Sequence, residues 1–576
     1  MTTSIDKDDA GTRSTASTLA IHDGHDAISE KSKSESSDSP AAELEPSAEA
    51  SRPESTITED AAPETALAPP APPQLPTGRR WALTLIVMFS MAMNGGAQTG
   101  LNIALPLIQT ELGITEANLQ WVASAFSLTN GCFLLISGRV ADAYGRKRCF
   151  IGGMLWYAVW CLVGSFMHSG PALIVTRAMA GAGASMGIPS GMGIIAGNLH
   201  GRQRATAFAC FGAGAPIGAG TGMVIGGLLT AYASQTWRAL LWIFTGLGVV
   251  IASFAFVYVP ADKAKGPEHD RRIDWLGAAM ITSGLVLLQF TVSDGVSAPR
   301  GWREPYVPTL FSVSIILIAA FFVWQWYLKN KTTYPPLLRL ALFTRARGRL
   351  GAYYFVGFVA WTGFASISYH VNLYYQQVKL TGPLGAVVRF LPVPISGIIC
   401  NIIVARVIHR VPLQFLVCFG VFCTGLSATF LALSGRDTLY WTFPFNAMYL
   451  VVIGADFLVP TGSIFVSLMA LPQEQSVAGA LFQTLLQLGG SFGLTLTSVI
   501  ATTYSNKARA RGEDEIDSIL KGLQASFWLA AGLAFTAFVI AVIFLRGIGI
   551  VSEIAQRKNK EAAEPAPQTE KGDTHV

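Results

Sequence analysis

The chain has 576 residues, 51% apolar and only 13% charged, with a mean hydropathy of +0.43. Soluble domains carry about 25% charged residues, so this composition excludes an ordinary water-soluble enzyme or scaffold. A formal net charge of +5 is too slight to point to a nucleic-acid partner.

Residues 1–78 are rich in Ser, Thr, Glu, Ala and Pro and nearly free of large apolar side chains. Such a segment cannot bury enough surface to offset its ordering entropy, and a disordered cytoplasmic tail is expected. It lacks a basic start followed by an apolar stretch, so it does not read as a signal peptide. Lys31 to Ser39 offers serines for phosphorylation. Beyond the tail come apolar runs long enough to cross a hydrocarbon core, where a backbone must satisfy its own hydrogen bonds and is therefore helical. Spans are predicted near 81–108, 119–138, 149–168, 171–195, 205–231 and 238–259, within 79–260. Two more, near 275–292 and 307–327, fall within 261–348. Six follow near 350–375, 385–408, 412–433, 440–471, 477–503 and 524–546, within 349–547. A polar tail, 548–576, follows. The run at 275–292 is the least marked, being short and carrying Gln289.

Basic clusters fall in alternate loops: Arg146 to Arg148; Arg202 and Arg204; Lys263, Lys265, Arg271 and Arg272; Lys329 to Arg349; Arg406 and Arg410. By the positive-inside rule both ends are cytoplasmic and the span count is even, with fourteen favoured over twelve. The 504–523 loop departs from the trend with Lys507, Arg509 and Arg511, but four acids accompany them. The seven cysteines lie in or beside apolar runs and read as small buried hydrophobes. No spacing suggests a metal site, and no cofactor is expected.

The first cytoplasmic turn carries Gly138, Asp142, Gly145, Arg146 and Lys147. The glycines permit tight geometry, Asp142 can accept from Arg146 or a helix N-terminus, and the basic run holds the loop inside. This spacing resembles the signature loop of the major facilitator superfamily, G-x-x-x-D-x-x-G-R-K. Arg177, Gly181 and Gly183 resemble its R-x-x-x-G-x-G, and Asn102 to Pro106 resembles the N-V-A-L-P end of the first span in drug:proton antiporters. Asp274-Trp275, Gly301-Trp302, Tyr374 to Gln377, Phe390 to Pro392, and Leu471 to Ser476 leading to Gln487 look like the fourteen-span branch. The resemblance covers about 80–546 and is nearest to fungal aminotriazole-resistance, ammonium or borate transporters and secondary-metabolite exporters.

Two departures stand against the branch's usual proton antiport. The acid expected in the first span is absent from Gly96 to Thr99, and Met223 stands where G-P-x-x-G-G has Pro, with Pro216 seven residues earlier. Buried charges then carry the mechanism, because an ionisable group within a span is costly and ordinarily faces a cavity. Arg177 and Asp456 are those groups, and Asp456 is expected to replace the missing acid as proton carrier; a static Asp456–Arg177 pair is the alternative. Asn94, Gln98 and Asn102 form an amide stripe at four-residue spacing, read as cavity lining or interhelical bonding. Gln483 and Gln487 form another. His370, Asn372, Tyr374 and Gln377 read as a substrate-contacting face, or as interface aromatics with a satisfied histidine.

The resemblance implies an all-α polytopic membrane protein: two pseudo-symmetric six-helix bundles with two extra central helices, and a midplane site reached by rocking of the halves. The activity it implies is proton-coupled efflux of a drug-like compound or fungal metabolite across the plasma or vacuolar membrane. The expected partners are a small-molecule substrate, protons and the lipid bilayer, with no nucleic acid and a monomeric state. Uptake of a small polar solute such as ammonium or borate is the alternative in the same class. A nutrient sensor on a transporter scaffold is one from another class. Eight scattered histidines speak against an enzyme.

Overall fold

The computed structural model describes residues 75–262, 272–298, 300–470, 475–550 and 553, and among them every regular element is helical. The Leu471–Glu474 part of the proposed motif, Lys31–Ser39 and nearly all of both polar tails lie outside the described residues. The first helices are α1 (Thr77–Leu112), α2 (Glu116–Tyr144), α3 (Arg146–Ser165), α4 (Gly170–Asn198), α5 (Gly201–Tyr232) and α6 (Thr236–Tyr258). Then come α7 (Trp275–Ser297), α8 (Tyr306–Lys331) and the single turn α9 (Ala341–Thr344). Helix α10 (Arg349–Leu373) runs into a π-helical turn at Tyr374–Val378, and α11 (Gly382–Phe390) and α12 (Pro392–Val407) form one broken segment. The rest are α13 (Leu413–Ala432), α14 (Phe443–Met469), α15 (Gln475–Arg509) and α16 (Glu515–Phe544).

Twelve described segments are long and apolar enough to cross a membrane, α11 and α12 together counting as one. Helices α1 and α4, with 36 and 29 residues, also exceed a bilayer crossing. They carry the amide stripe and Arg177 and are not among the twelve.

Three expectations change. The span at 385–408 is broken at Leu391-Pro392, because a proline lacks the N–H for the i−4 bond and its ring crowds that carbonyl. The 504–523 loop shrinks to a turn: α15 continues to Arg509 and α16 begins at Glu515. Lys507 and Arg509 close one helix while Glu515 and Asp517 open the next, each complementing a helix dipole. Gly138 is not a turn residue but lies within α2; only Gly145, with φ 108°, makes the turn.

Small residues set the closest packing. Gly95, Gly96 and Gly100 of α1 meet Ala215, Gly218 and Gly222 of α5 backbone to backbone, a four-residue spacing that lets two helices touch where no side chain fits. On α4, Gly181 packs on α2, and Gly183 and Gly187 pack on α3.

Helix ends meet in two sets. Glu111, in the last turn of α1, receives Trp237 Nε1 at 2.7 Å and also Arg238, which reaches Met167 O after α3 at 3.2 Å. Gln377 after α10 donates to Gln109 Oε1 at 3.2 Å, and Lys379 reaches carbonyls of the α13–α14 loop. These ends therefore share one face. On the other, Arg79 bonds Tyr258 O at 2.8 Å, Lys147 bonds Val259 O at 2.6 Å, and Arg349 bonds Gly547 O at 3.4 Å.

Asp274, recognised from sequence, proves to join α7 to α8. Its Oδ1 accepts from Gly277 N and Trp324 Nε1 at 2.8 and 2.9 Å, and its Oδ2 from Gln325 Nε2 at 2.6 Å.

Candidate functional site

Arg177 is 3% exposed, and a guanidinium at that depth needs acceptors and a polarisable surface. Its Nε donates to Val122 O on α2 at 3.2 Å and an Nη to Ala97 O on α1 at 3.1 Å. The guanidinium carbon stands 4.6 Å from the Phe126 ring centre, a cation–π geometry. Arg177 thus ties α4 to α1 and α2, and its hydrogen bonds do not run to Asp456. The static Asp456–Arg177 pair is not formed.

Asp456 lies near the middle of α14 and faces α12. Its Oδ2 is 3.2 Å from where a Cβ on Gly397 would stand, and Asn401 and Cys400 of α12 neighbour the carboxylate. That oxygen is buried and has no hydrogen-bond partner. One turn before Gly397, Pro394 packs against Gly220 of α5. The face of α12 that meets Asp456 is therefore continuous with the face that meets α5.

Along α1, Gln98 Nε2 donates to Asn94 Oδ1 at 3.0 Å, whereas the buried Asn94 Nδ2 is unpaired. Asn102 takes part through its carbonyl, which accepts from Asn372. Gln376 bonds Ile103 O at 2.7 Å and Asn372 Oδ1 at 2.8 Å, and Gln377 meets Gln109. The end of α10 is thereby sealed onto the end of α1. His370 is 1% exposed and its Nδ1 stands 2.9 Å from Ser366 O. With Gln109, Leu119, Gln377 and Ser498 it lines a void of about 40 Å³ inside this seal, room for a few waters. Tyr374 turns away, donating to Gly435 O at 2.9 Å. His370 and Tyr374 share a helix face in sequence but serve different neighbours.

A second polar contact, not foreseen, joins α2, α7 and α15. Gln289 of α7 is fully buried; its Nε2 donates to Ser124 Oγ of α2 at 3.3 Å, and its Oε1 is 2.7 Å from Ser491 Oγ of α15. Gln120 and Trp121 of α2 donate to Ser293 Oγ at 2.7 and 3.0 Å. Beside this seam Gln487 packs its Cβ on Gly131 of α2, and Gln483, one turn earlier, is half-buried. Asn130 of α2, also missed, is fully buried with neither amide atom bonded. A lone amide in an apolar run was the available signal for Asn130 and Asn401.

The signature loop forms a cluster at the opposite face. Arg146 pairs with Asp142 at 3.2 Å and donates to Gly193 O at 2.8 Å. Lys147 N donates to Asp262 Oδ2 at 3.0 Å, close against Gly145. A side chain at Gly145 would collide with that carboxylate.

A sequence profile described as Major Facilitator Superfamily matches residues 87–494. The chain is 27% identical over 482 residues to "Efflux pump terG" of Aspergillus terreus, covering 81% of this chain and 87% of the relative. To the "Low affinity ammonium transporter" of Saccharomyces cerevisiae it is 26% identical, covering 80% and 87%. To the "Aminotriazole resistance protein" of the same yeast it is 25% identical, covering 83% and 85%. Among solved structures, a bacterial homologue of the human lysosomal transporter Spinster, inward-facing and unoccupied, superposes with a TM-score of 0.56 at 13% identity. That match covers 86% of this chain and all of the other.

Proposed function

Because the chain belongs to the Major Facilitator Superfamily, and is a membrane transporter and not an enzyme, we propose that it exports a drug-like compound or secondary metabolite in exchange for protons. The observation that carries this reading is Asp456 Oδ2, buried and unpartnered where α14 meets α12. A bare carboxylate oxygen in a low-dielectric surrounding gains most from a proton or a cationic group. Its neighbour face on α12 leads to the contact with α5, so occupancy at Asp456 can bias how the two helix groups lean on each other. Arg177 holds α1, α2 and α4 as one body, and the seal between α1 and α10 is the element that opens when the groups rock.

In this reading α1 and α4 also cross the membrane, which gives fourteen spans with both termini cytoplasmic. The two bundles are α1–α6 and α10–α16, with α7 and α8 between them. Asn94, Gln98, Asn102, Gln483 and Gln487 belong to the substrate pathway, and the protein works as a monomer in the plasma membrane. Relatives named as efflux pumps and as an aminotriazole resistance protein support export.

The test is flux in proteoliposomes with and without an imposed pH gradient. Asp456→Asn should lower gradient-driven accumulation about tenfold or more, the loss expected when a charge-bearing group is removed, while downhill exchange of cargo persists. Full gradient dependence in the variant would eliminate the proposal. A second reading, movement of a small polar solute, has support in the ammonium-transporting relative and in the missing acid of α1. Labelled methylammonium in the same vesicles separates the two.

A further inference from the structure

The break at Leu391-Pro392 has a consequence away from the transport pathway. Helix α11 is held against α5, with Val387 on Gly227, while α12 leans on α14. Between α12 and the start of α14 the chain leaves a cleft of about 650 Å³. Its walls are Arg389, Ile395 and Ile399 on one side and Tyr440, Phe445 and Tyr449 on the other. Ile395 and Ile399 are 59% and 52% exposed, so the cleft opens sideways toward lipid.

Polarity along the cleft is graded. The segment Gly382–Val407 has 26 residues, about 39 Å of helix, close to a bilayer with its headgroups. Arg389 stands seven residues in, about 10 Å below the start, a few ångströms inside the hydrocarbon boundary, from where its long side chain can reach up to the headgroups. Its guanidinium has one intrahelical acceptor, Gly385 O at 3.0 Å, and lies 6.0 Å from the Tyr375 ring centre. Tyr440 beside it donates to Arg389 O at 2.9 Å, and the neighbouring Trp441 is 72% exposed, the aromatic pattern of a membrane boundary. Deeper in, the walls are aliphatic and aromatic. A single cation able to reach the phosphate layer above an apolar slot is the complement of one phospholipid.

We propose that this cleft holds a membrane phospholipid, its phosphate on Arg389 and one acyl chain along Ile395 and Ile399. The lipid fills the gap that the proline break leaves between α12 and α14.

The full-length protein, purified in detergent, is incubated with palmitoyl-oleoyl phosphatidylcholine or with the matching diacylglycerol and read by native mass spectrometry. One phospholipid should stay bound, retained about tenfold better than diacylglycerol. Arg389→Gln should cut retention about fivefold, and Ile395→Trp, which fills the slot from an exposed position, should abolish it. Equal retention of diacylglycerol, or unchanged phospholipid in Ile395→Trp, overturns the proposal. So does a variant that keeps its lipid but loses transport, since the cleft then belongs to cargo. If Arg389→Gln does not survive purification, Ile395→Trp and the diacylglycerol comparison decide alone.

Discussion

Glu111 shows how one side chain can organise several loops. Burial alone would raise its carboxyl, but the bonds from Arg238 and Trp237 and the Arg238 charge together hold it below the usual carboxylate range. A carboxylate lowered on folding stabilises above its unfolded value, and that contribution is lost as pH falls through the lowered value. Thermal stability of the purified protein should therefore drop on acidification below about pH 4. Glu111→Gln should be less stable at neutral pH and show a shallower acid loss; a scanning fluorimetry pH series reads both. A parallel pair of curves would mean the Arg238 contact carries no weight. At this scale the sequence was informative about which residues matter and poor about what they touch. The Asp142–Arg146 bond was legible because the signature turn is so short that the acid ending α2 and the first residue of α3 are only four positions apart across Gly145. The partners of Arg177 were not: two of its acceptors are backbone carbonyls, on Ala97 and Val122, which have no residue signature. The same applies to Asn102, which joins the seal through its main chain.

Among elements, the α1–α5 contact is the most constrained. A Cβ on Gly218 would sit 1.8 Å from Ala92 O, so even alanine must push two backbones apart. Gly218→Ala should cost about 1–3 kcal/mol, seen as a lowered unfolding temperature, whereas Gly212→Ala, facing open space on the same helix, should be near neutral. Equal effects at both positions would reject the packing argument. In sequence this helix stood out only for Met223, where the antiporter pattern has Pro. The structure shows that the spacing works without the proline, because the four-residue glycine ladder alone brings α5 onto α1. The break at Leu391-Pro392 and the reach of α15 and α16 were harder to read. Hydropathy sees apolar residues on both sides of the proline and no interruption, and it stops counting where a helix leaves the apolar zone with its charges still in register.

For the whole molecule, the polar seal between the ends of α1 and α10 identifies one face as closed. Cysteines replacing Gln109 and Gln377 should cross-link readily in the resting protein, and saturating cargo on the opposite side should slow the reaction. Cross-linking unaffected by cargo would detach the seal from the transport cycle. The all-helical, membrane-crossing architecture was legible from hydrophobic run lengths, and the family from the signature loop and its companion motifs. How the two groups touch was not, since the contacts are made by amides and serines that a hydropathy profile averages away.

Gln289 gives helices α7 and α8 a role that composition does not announce. It grips α2 with one end of its amide and α15 with the other. In the proposed rocking, where α2 and α15 ride on opposite halves, any tilting must release one of those grips or drag α7 and α8 along with one partner. On that reading the pair would act as a brake on the motion.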